Sequence, residues 1–128
     1  MELEKVASSF RALAEELALH LLKEERMLFP YIVQLESAVK CGGRLAPAMF
    51  GTVQNPVRMM MMEHDSAGEL LHAMREITKG YTLPEDSCMS YKMLYRALPD
   101  FEADLHQHIH LENNILFPRA IVLEKQMV

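Results

Sequence analysis

The sequence predicts an all-α fold in which three long helices pack as a bundle. Three observations carry that expectation. Apolar residues recur at spacings of three, four and seven through most of the chain, as they do on one face of a helix. Glycines stop the helical runs at Gly42–Gly43 and again at Gly80. One helical stretch, HLLKEERMLFP from His20 to Pro30, returns as HIHLENNILFP from His108 to Pro118.

The first helix is predicted over about Glu2 to Val39. Val6, Phe10, Leu13, Leu17, Leu21, Leu28, Ile32 and Leu35 form its apolar stripe, and Glu2, Glu4, Lys5, Arg11, Glu15, Glu16 and Lys23 its polar face. Pro30 lacks an N–H, so it is expected to kink this helix or end its ideal portion; forcing a regular turn there costs roughly 3 kcal/mol. Residues Arg44 to Pro56 have no helical period and read as an ordered loop anchored by Leu45, Met49 and Phe50. Asn55 before Pro56 predicts the start of the second helix, running to about Lys79. Met60, His64, Leu71 and Met74 share a face of it, and four consecutive methionines, Met59 to Met62, cannot all point inward. A turn over Tyr81 to Asp86 leads to the third helical region, from Pro84 or Glu85 to about Leu123, with bends expected at Pro99 and Pro118. Its stripe runs through Met89, Leu94, Leu98, Phe101, Leu105, His108, Glu112, Ile115, Leu116 and Arg119. Each inward face is wide, which leaves room for a fourth helix from elsewhere.

Composition sets the outer limits. At 128 residues the chain fits one domain, 1–128, able to bury a core without disulfide staples. Apolar residues make up 50% and charged ones 24%, which excludes a disordered chain. With 18 acidic residues against 13 Lys and Arg the formal charge is -5, and no basic cluster stands out. Nucleic acid and anionic membrane surfaces are therefore not expected partners. Cys41 and Cys88 have no CxxC spacing and fit a reducing compartment; the N-terminus does not read as a signal sequence, and no apolar run approaches a membrane span. The cytoplasm is the expected location.

The repeated stretch carries the chemistry. In each copy a histidine and a glutamate lie four residues apart, His20 with Glu24 and His108 with Glu112, so an imidazole and a carboxylate project together from one helix face. A solvated ion pair explains one copy. Two copies with the same flanks and proline point to two facing turns that share a metal site, because burying four ionisable groups without a compensating charge is costly. His64, central on the intervening helix, is a candidate third imidazole. His106 and His110 are rotated roughly 200° from His108 and are expected outside the ligand set, as is His72. Imidazoles with two carboxylates and no thiolate suit a di-iron or di-manganese centre, in which Glu24 and Glu112 bridge and His20, His64 and His108 are terminal. No nucleophile with a base and an orienting third group is recognisable, so hydrolytic chemistry has no support.

HLLKEERMLFP, EHDSAG and HQHIHLENNILFP resemble, over nearly the whole chain, the C-terminal hemerythrin-like domain of the iron-sulfur cluster repair di-iron proteins, the RIC family. The resemblance implies an antiparallel four-helix bundle around a non-haem di-iron centre, oxo-bridged or similar, with manganese or zinc as substitutes. It implies a role in restoring iron-sulfur clusters after nitrosative or oxidative damage, with damaged iron-sulfur proteins as clients. It places the family's ligands on His20, Glu24, His64, His108 and Glu112. Family members carry a further upstream helix with another histidine ligand, which Met1 to Leu19 do not supply, so the chain is expected to be a fragment or a shortened relative.

A homodimer is expected to cover the apolar surface that three wide-faced helices leave open. Two rival readings stand beside repair: a hemerythrin-type module that binds or senses oxygen or nitric oxide, and a metal-free structural helical dimer. Glu112, where oxygen-carrying hemerythrins usually have aspartate, favours repair.

Overall fold

A computed structural model of the protein describes residues 1–46 and 48–127. Its helices form three rods. In the first, α1 (Glu2–Lys23) passes through a π turn, Glu24–Leu28, into α2 (Phe29–Lys40); α3 (Gln54–Ile77) is the second; in the third, α4 (Met89–Leu111) passes through a π turn, Glu112–Leu116, into α5 (Phe117–Gln126).

At the two prolines expected to kink or end the ideal portion of their helices, regular α geometry does give way, at Lys23 and at Leu111, and the helix continues beyond a π turn. Each proline stands one residue past that turn, in which Phe29 N–H reaches back five residues to the Glu24 carbonyl and Phe117 N–H to that of Glu112. In regular α geometry the Pro30 ring would press on the carbonyl four residues earlier and leave it without a donor. Widening the turn by one residue relieves both problems and carries the helix through.

Helix ends follow the sequence expectation in the first rod and depart from it in the other two. The first rod stops as expected, with Gly42 at φ +67°. There Gly43 N–H bonds the Ala38 carbonyl at 2.8 Å and Gly42 N–H that of Val39 at 3.3 Å. The second rod starts one residue before Asn55, whose amide donates to the Phe50 carbonyl at 2.8 Å and so does not cap. A distant residue serves that helix start: Glu124 on α5 accepts from Val53 N–H at 2.9 Å and from the Thr52 hydroxyl at 2.5 Å, placing negative charge at the positive end of α3. The second rod ends at Ile77, two residues short of the expected Lys79, and the third begins at Met89, after a turn in which Asp86 takes φ +60°.

Cross-rod contacts fix the directions. His20 meets Glu63 while Glu16 meets Ser66, so α1 and α3 are antiparallel. Glu2 meets Tyr91 while Phe10 meets Phe101, so α1 and α4 run parallel. Three apolar clusters follow one another along the axis. Val6, Tyr81, Tyr95 and Leu98 fill one end, Leu13, Ala67, Leu71, Met74 and Leu105 the middle, and Leu28, Val53, Val57, Met60, Phe117 and Ala120 the other end. Removing a fully buried leucine such as Leu13 would cost about 2–5 kcal/mol.

The sequence stripes are broader than the arc that three rods enclose. Phe10, Leu21, Met89, Leu94 and Ile115 stay exposed, as do Met59, Met61 and Met62, whereas Met60 is buried. Among the described residues no helix is long and apolar enough to cross a membrane.

Candidate metal centre

Between the middle and far apolar clusters the buried surface turns polar. His20 is one turn before the first π segment, Glu24 opens it, and His108 and Glu112 repeat this on the third rod. His64 faces them from α3. His20, Glu24, His64, His108 and Glu112 each offer one ligand atom, and these atoms all lie within 4.8 Å of one another. His106, His110 and His72 stay outside the cluster; His72 is exposed, with Glu76 at 3.7 Å.

The two carboxylates divide their oxygens between two sides. Oε1 of Glu24 lies 2.7 Å from His20 Nε2, and Oε1 of Glu112 lies 2.8 Å from His64 Nε2 and 3.8 Å from His20 Nε2. Oε2 of Glu24 and of Glu112 lie 3.6 and 3.1 Å from His108 Nε2. One side therefore gathers two imidazole nitrogens and two carboxylate oxygens, and the other gathers one nitrogen and two oxygens.

The carboxylate oxygens and His108 Nε2 converge without hydrogen-bonding one another. All four oxygens of Glu24 and Glu112, together with His108 Nε2, are buried and among the described residues lack a hydrogen-bond partner despite the short separations. Orphaned buried carboxylates are costly, whereas a cation at the point of convergence satisfies them.

The outer ring nitrogens fix the tautomers. His20 Nδ1–H donates to Glu63 Oε1 at 2.9 Å, and His64 Nδ1–H donates to Asn113 Oδ1 at 2.8 Å. Glu63 is held in turn by Lys23 Nζ at 2.6 Å. Each neutral ring then turns its Nε2 lone pair inward, and the two Nε2 atoms stand 3.2 Å apart. Two lone pairs at that distance repel unless a proton or a metal lies between them. A proton serves where no metal is bound. Burial works to lower the His20 imidazolium, but the carboxylates of Glu112, Glu24 and Glu63 overcome it and push it up to about 10. Burial, with Glu112 beside it, raises Glu24; Glu112 is held below the usual carboxylate range because His20 and His64 outweigh its burial. Phe117 closes the inner wall, its ring stacked on His64 at 5.9 Å.

Glu63, Lys23 and Asn113 are functional neighbours that the sequence reading did not single out. The available signal was adjacency: Glu63 directly precedes His64, and Asn113 directly follows Glu112.

Comparison with known proteins gives the same picture. The hemerythrin HHE cation binding domain matches residues 1–120. A probable iron-sulfur cluster repair protein of Haemophilus influenzae is 41% identical over 116 residues, which are 91% of this chain and 46% of that protein. The iron-sulfur cluster repair protein YtfE of Pectobacterium atrosepticum is 39% identical over 116 residues, 91% of this chain and 47% of its own. Its counterpart in Salmonella typhimurium is 40% identical over 113 residues, 88% of this chain and 46% of its own. The chain thus spans about half the length of the curated relatives it matches.

Proposed function

The chain belongs to the hemerythrin HHE cation-binding domain family, and on that premise we propose that it holds a di-iron centre serving the repair of iron-sulfur clusters damaged by oxidative or nitrosative stress. His20, Glu24, His64, His108 and Glu112 are the metal ligands in this reading. The observation that carries it is the division of the carboxylates: each glutamate turns one oxygen toward His20 and His64 and the other toward His108, as bridging ligands between two ions do. Nitrogen and oxygen donors without thiolate suit iron and also admit manganese or zinc. Bound there, a pair of irons supplies one-electron chemistry and a store of iron for transfer to a damaged cluster. The protein's own part is to bury the carboxylates, fix the histidine tautomers and exclude water from the inner wall.

Metal analysis tests the reading. Protein purified without oxygen or chelators is expected to carry about two irons per chain, and a ratio near zero after such handling would sink it. Recovery of a damaged iron-sulfur enzyme on mixing with the loaded protein tests the repair role.

A second reading, binding of a small diatomic molecule such as oxygen or nitric oxide, draws on a cavity of about 220 Å³ beside the centre. His20, His64 and His108 border it, with Leu17, Phe101 and Ile109 as apolar walls. A change in the visible spectrum when nitric oxide meets the reduced, loaded protein would support it.

The same apolar strip between α1 and α4, with Phe10 and Leu21 exposed near it, supports a homodimer built on that face. A monomer mass in solution well above micromolar concentration would count against the dimer. The exposed free thiols of Cys41 and Cys88 accord with a reducing, cytoplasmic setting, and residues 1–128 act as one domain in this proposal.

A further inference from the structure

The two sides of the centre are not built alike. His20 and His64 are buried, and each has its outer ring nitrogen bonded, His20 to Glu63 and His64 to Asn113. Behind Glu63 stands Lys23, whose ammonium fixes the carboxylate that fixes the ring. The bracing crosses between rods: Glu63 on α3 orients a ring on α1, and Asn113 in the second π turn orients a ring on α3. His108 differs in exposure and in bracing. Its side chain is 37% exposed, and among the described residues it is the lone imidazole on its side and nothing bonds its outer nitrogen.

We infer that Glu63, with Lys23 behind it, and Asn113 are positioning residues that make the His20 and His64 side retain its metal, leaving the His108 side as the one that exchanges with the surroundings. This inference rests on the two-metal reading above. Outer partners fix ring orientation and raise ligand basicity, and losing one typically costs 10–100-fold in metal affinity. The carboxylate of Glu63 gives His20 more imidazolate character than a neutral partner would, so the braced side has both more donors and stronger ones. On the other side a single, partly exposed imidazole and two buried carboxylate oxygens hold the metal, and water or a chelator reaches it past that ring.

The test uses the full chain loaded anaerobically with iron(II) and challenged with a chromophoric chelator. Release is expected in two phases of about one equivalent each, separated by at least about tenfold in rate. His108→Ala should abolish the fast phase and leave about one retained equivalent. Glu63→Leu should speed the slow phase by about 10–100-fold and leave the fast phase unchanged. Glu63→Gln, whose amide oxygen still accepts the His20 N–H, should restore much of the retention. Asn113→Ala provides an independent variant should Glu63→Leu fail to fold, and it should again act on the slow phase alone. Release of both equivalents in one phase, or equal acceleration of both phases by these variants, would overturn the inference while leaving the two-metal reading intact. Loading that stops at one equivalent or fewer would overturn that reading and the inference with it.

Discussion

Two buried carboxylate sites lie along the same bundle, and they are finished differently. Near the end where the chain starts, Glu102 is buried and fully served. Arg75 Nε and Nη2 each reach its Oε1 at 3.1 Å, and the Tyr81 hydroxyl donates to its Oε2 at 3.3 Å. Arg75 also lies over the Tyr81 ring, 5.3 Å from its centroid. Glu24 and Glu112 are buried as deeply, and among the described residues no donor bonds any of their oxygens. Burial alone therefore does not mark a functional carboxylate. What marks it is burial that the chain's own donors leave uncompensated, and the contrast assigns Glu102 to the fold and the other pair to a cation.

The largest effect that would break this contrast is on metal content. Glu24→Ala removes one oxygen from each side of the centre, so bound iron should fall from about two per chain to below one, measured by metal analysis. His72→Ala, on the exposed surface, should leave the ratio unchanged. Stability follows the same division. With free metal at about a hundredfold its dissociation constant, the wild-type chain should gain roughly 2.7 kcal/mol against unfolding, and Glu24→Ala should gain little. Equal iron content in the two variants would contradict the assigned roles.

Arg75→Ala sharpens the comparison from the other side. It leaves Glu102 with only the Tyr81 hydroxyl, and because the arginine is itself partly exposed, water makes up part of the loss. A destabilisation of about 1–3 kcal/mol by urea unfolding is expected, with iron stoichiometry unchanged. Loss of iron in this variant would mean that the two sites are coupled along the bundle.

The paired His and Glu residues were legible because their information is local. A spacing of four on a helix fixes a shared face, and the second copy at His108 and Glu112 supplied the reason to read the first as more than a surface ion pair. His64 needed only its central place on the intervening helix. The π turns were not legible: they differ from α geometry by one residue in five, and the apolar pairs Leu28–Phe29 and Leu116–Phe117 fit either period. Their trace in the sequence is the proline that follows each, read as a kink because the widened turn that accommodates it has no periodic signature. Glu63 and Asn113 escaped for another reason. Each is rotated about 100° from its neighbouring ligand, so its meaning depends on which rod stands on that side, and a single helix's pattern does not contain this. The start of α3 likewise depends on Glu124, 71 residues from the Val53 amide it accepts from. Breadth misled where locality had helped: the stripes through Phe10, Leu21 and Leu94 imply burial that three rods do not provide.

The smallest effect separates the ends of the bundle from its centre by pH. Burial raises the Tyr95 phenol, and the carboxylate of Glu2, to which its hydroxyl donates, adds to it. Burial and then Glu124 push Tyr31 from 10.0 up to about 12. A phenol whose folded pKa exceeds its unfolded value stabilises the native state fully below the unfolded value, and that contribution is lost as pH rises through the folded one. The metal-free chain should therefore lose stability from about pH 10 upward, with the Tyr31 share gone by about pH 12 and the Tyr95 share persisting longer. Tyr31→Phe and Tyr95→Phe should each lower stability at neutral pH and flatten its alkaline decline, read from urea unfolding at a series of pH values. Neither ring touches the His and Glu cluster, so both variants should load iron as the wild type does. A flat profile above pH 10 in the wild type would show that these hydroxyl–carboxylate contacts contribute little, and that apolar packing alone holds the two ends around the centre.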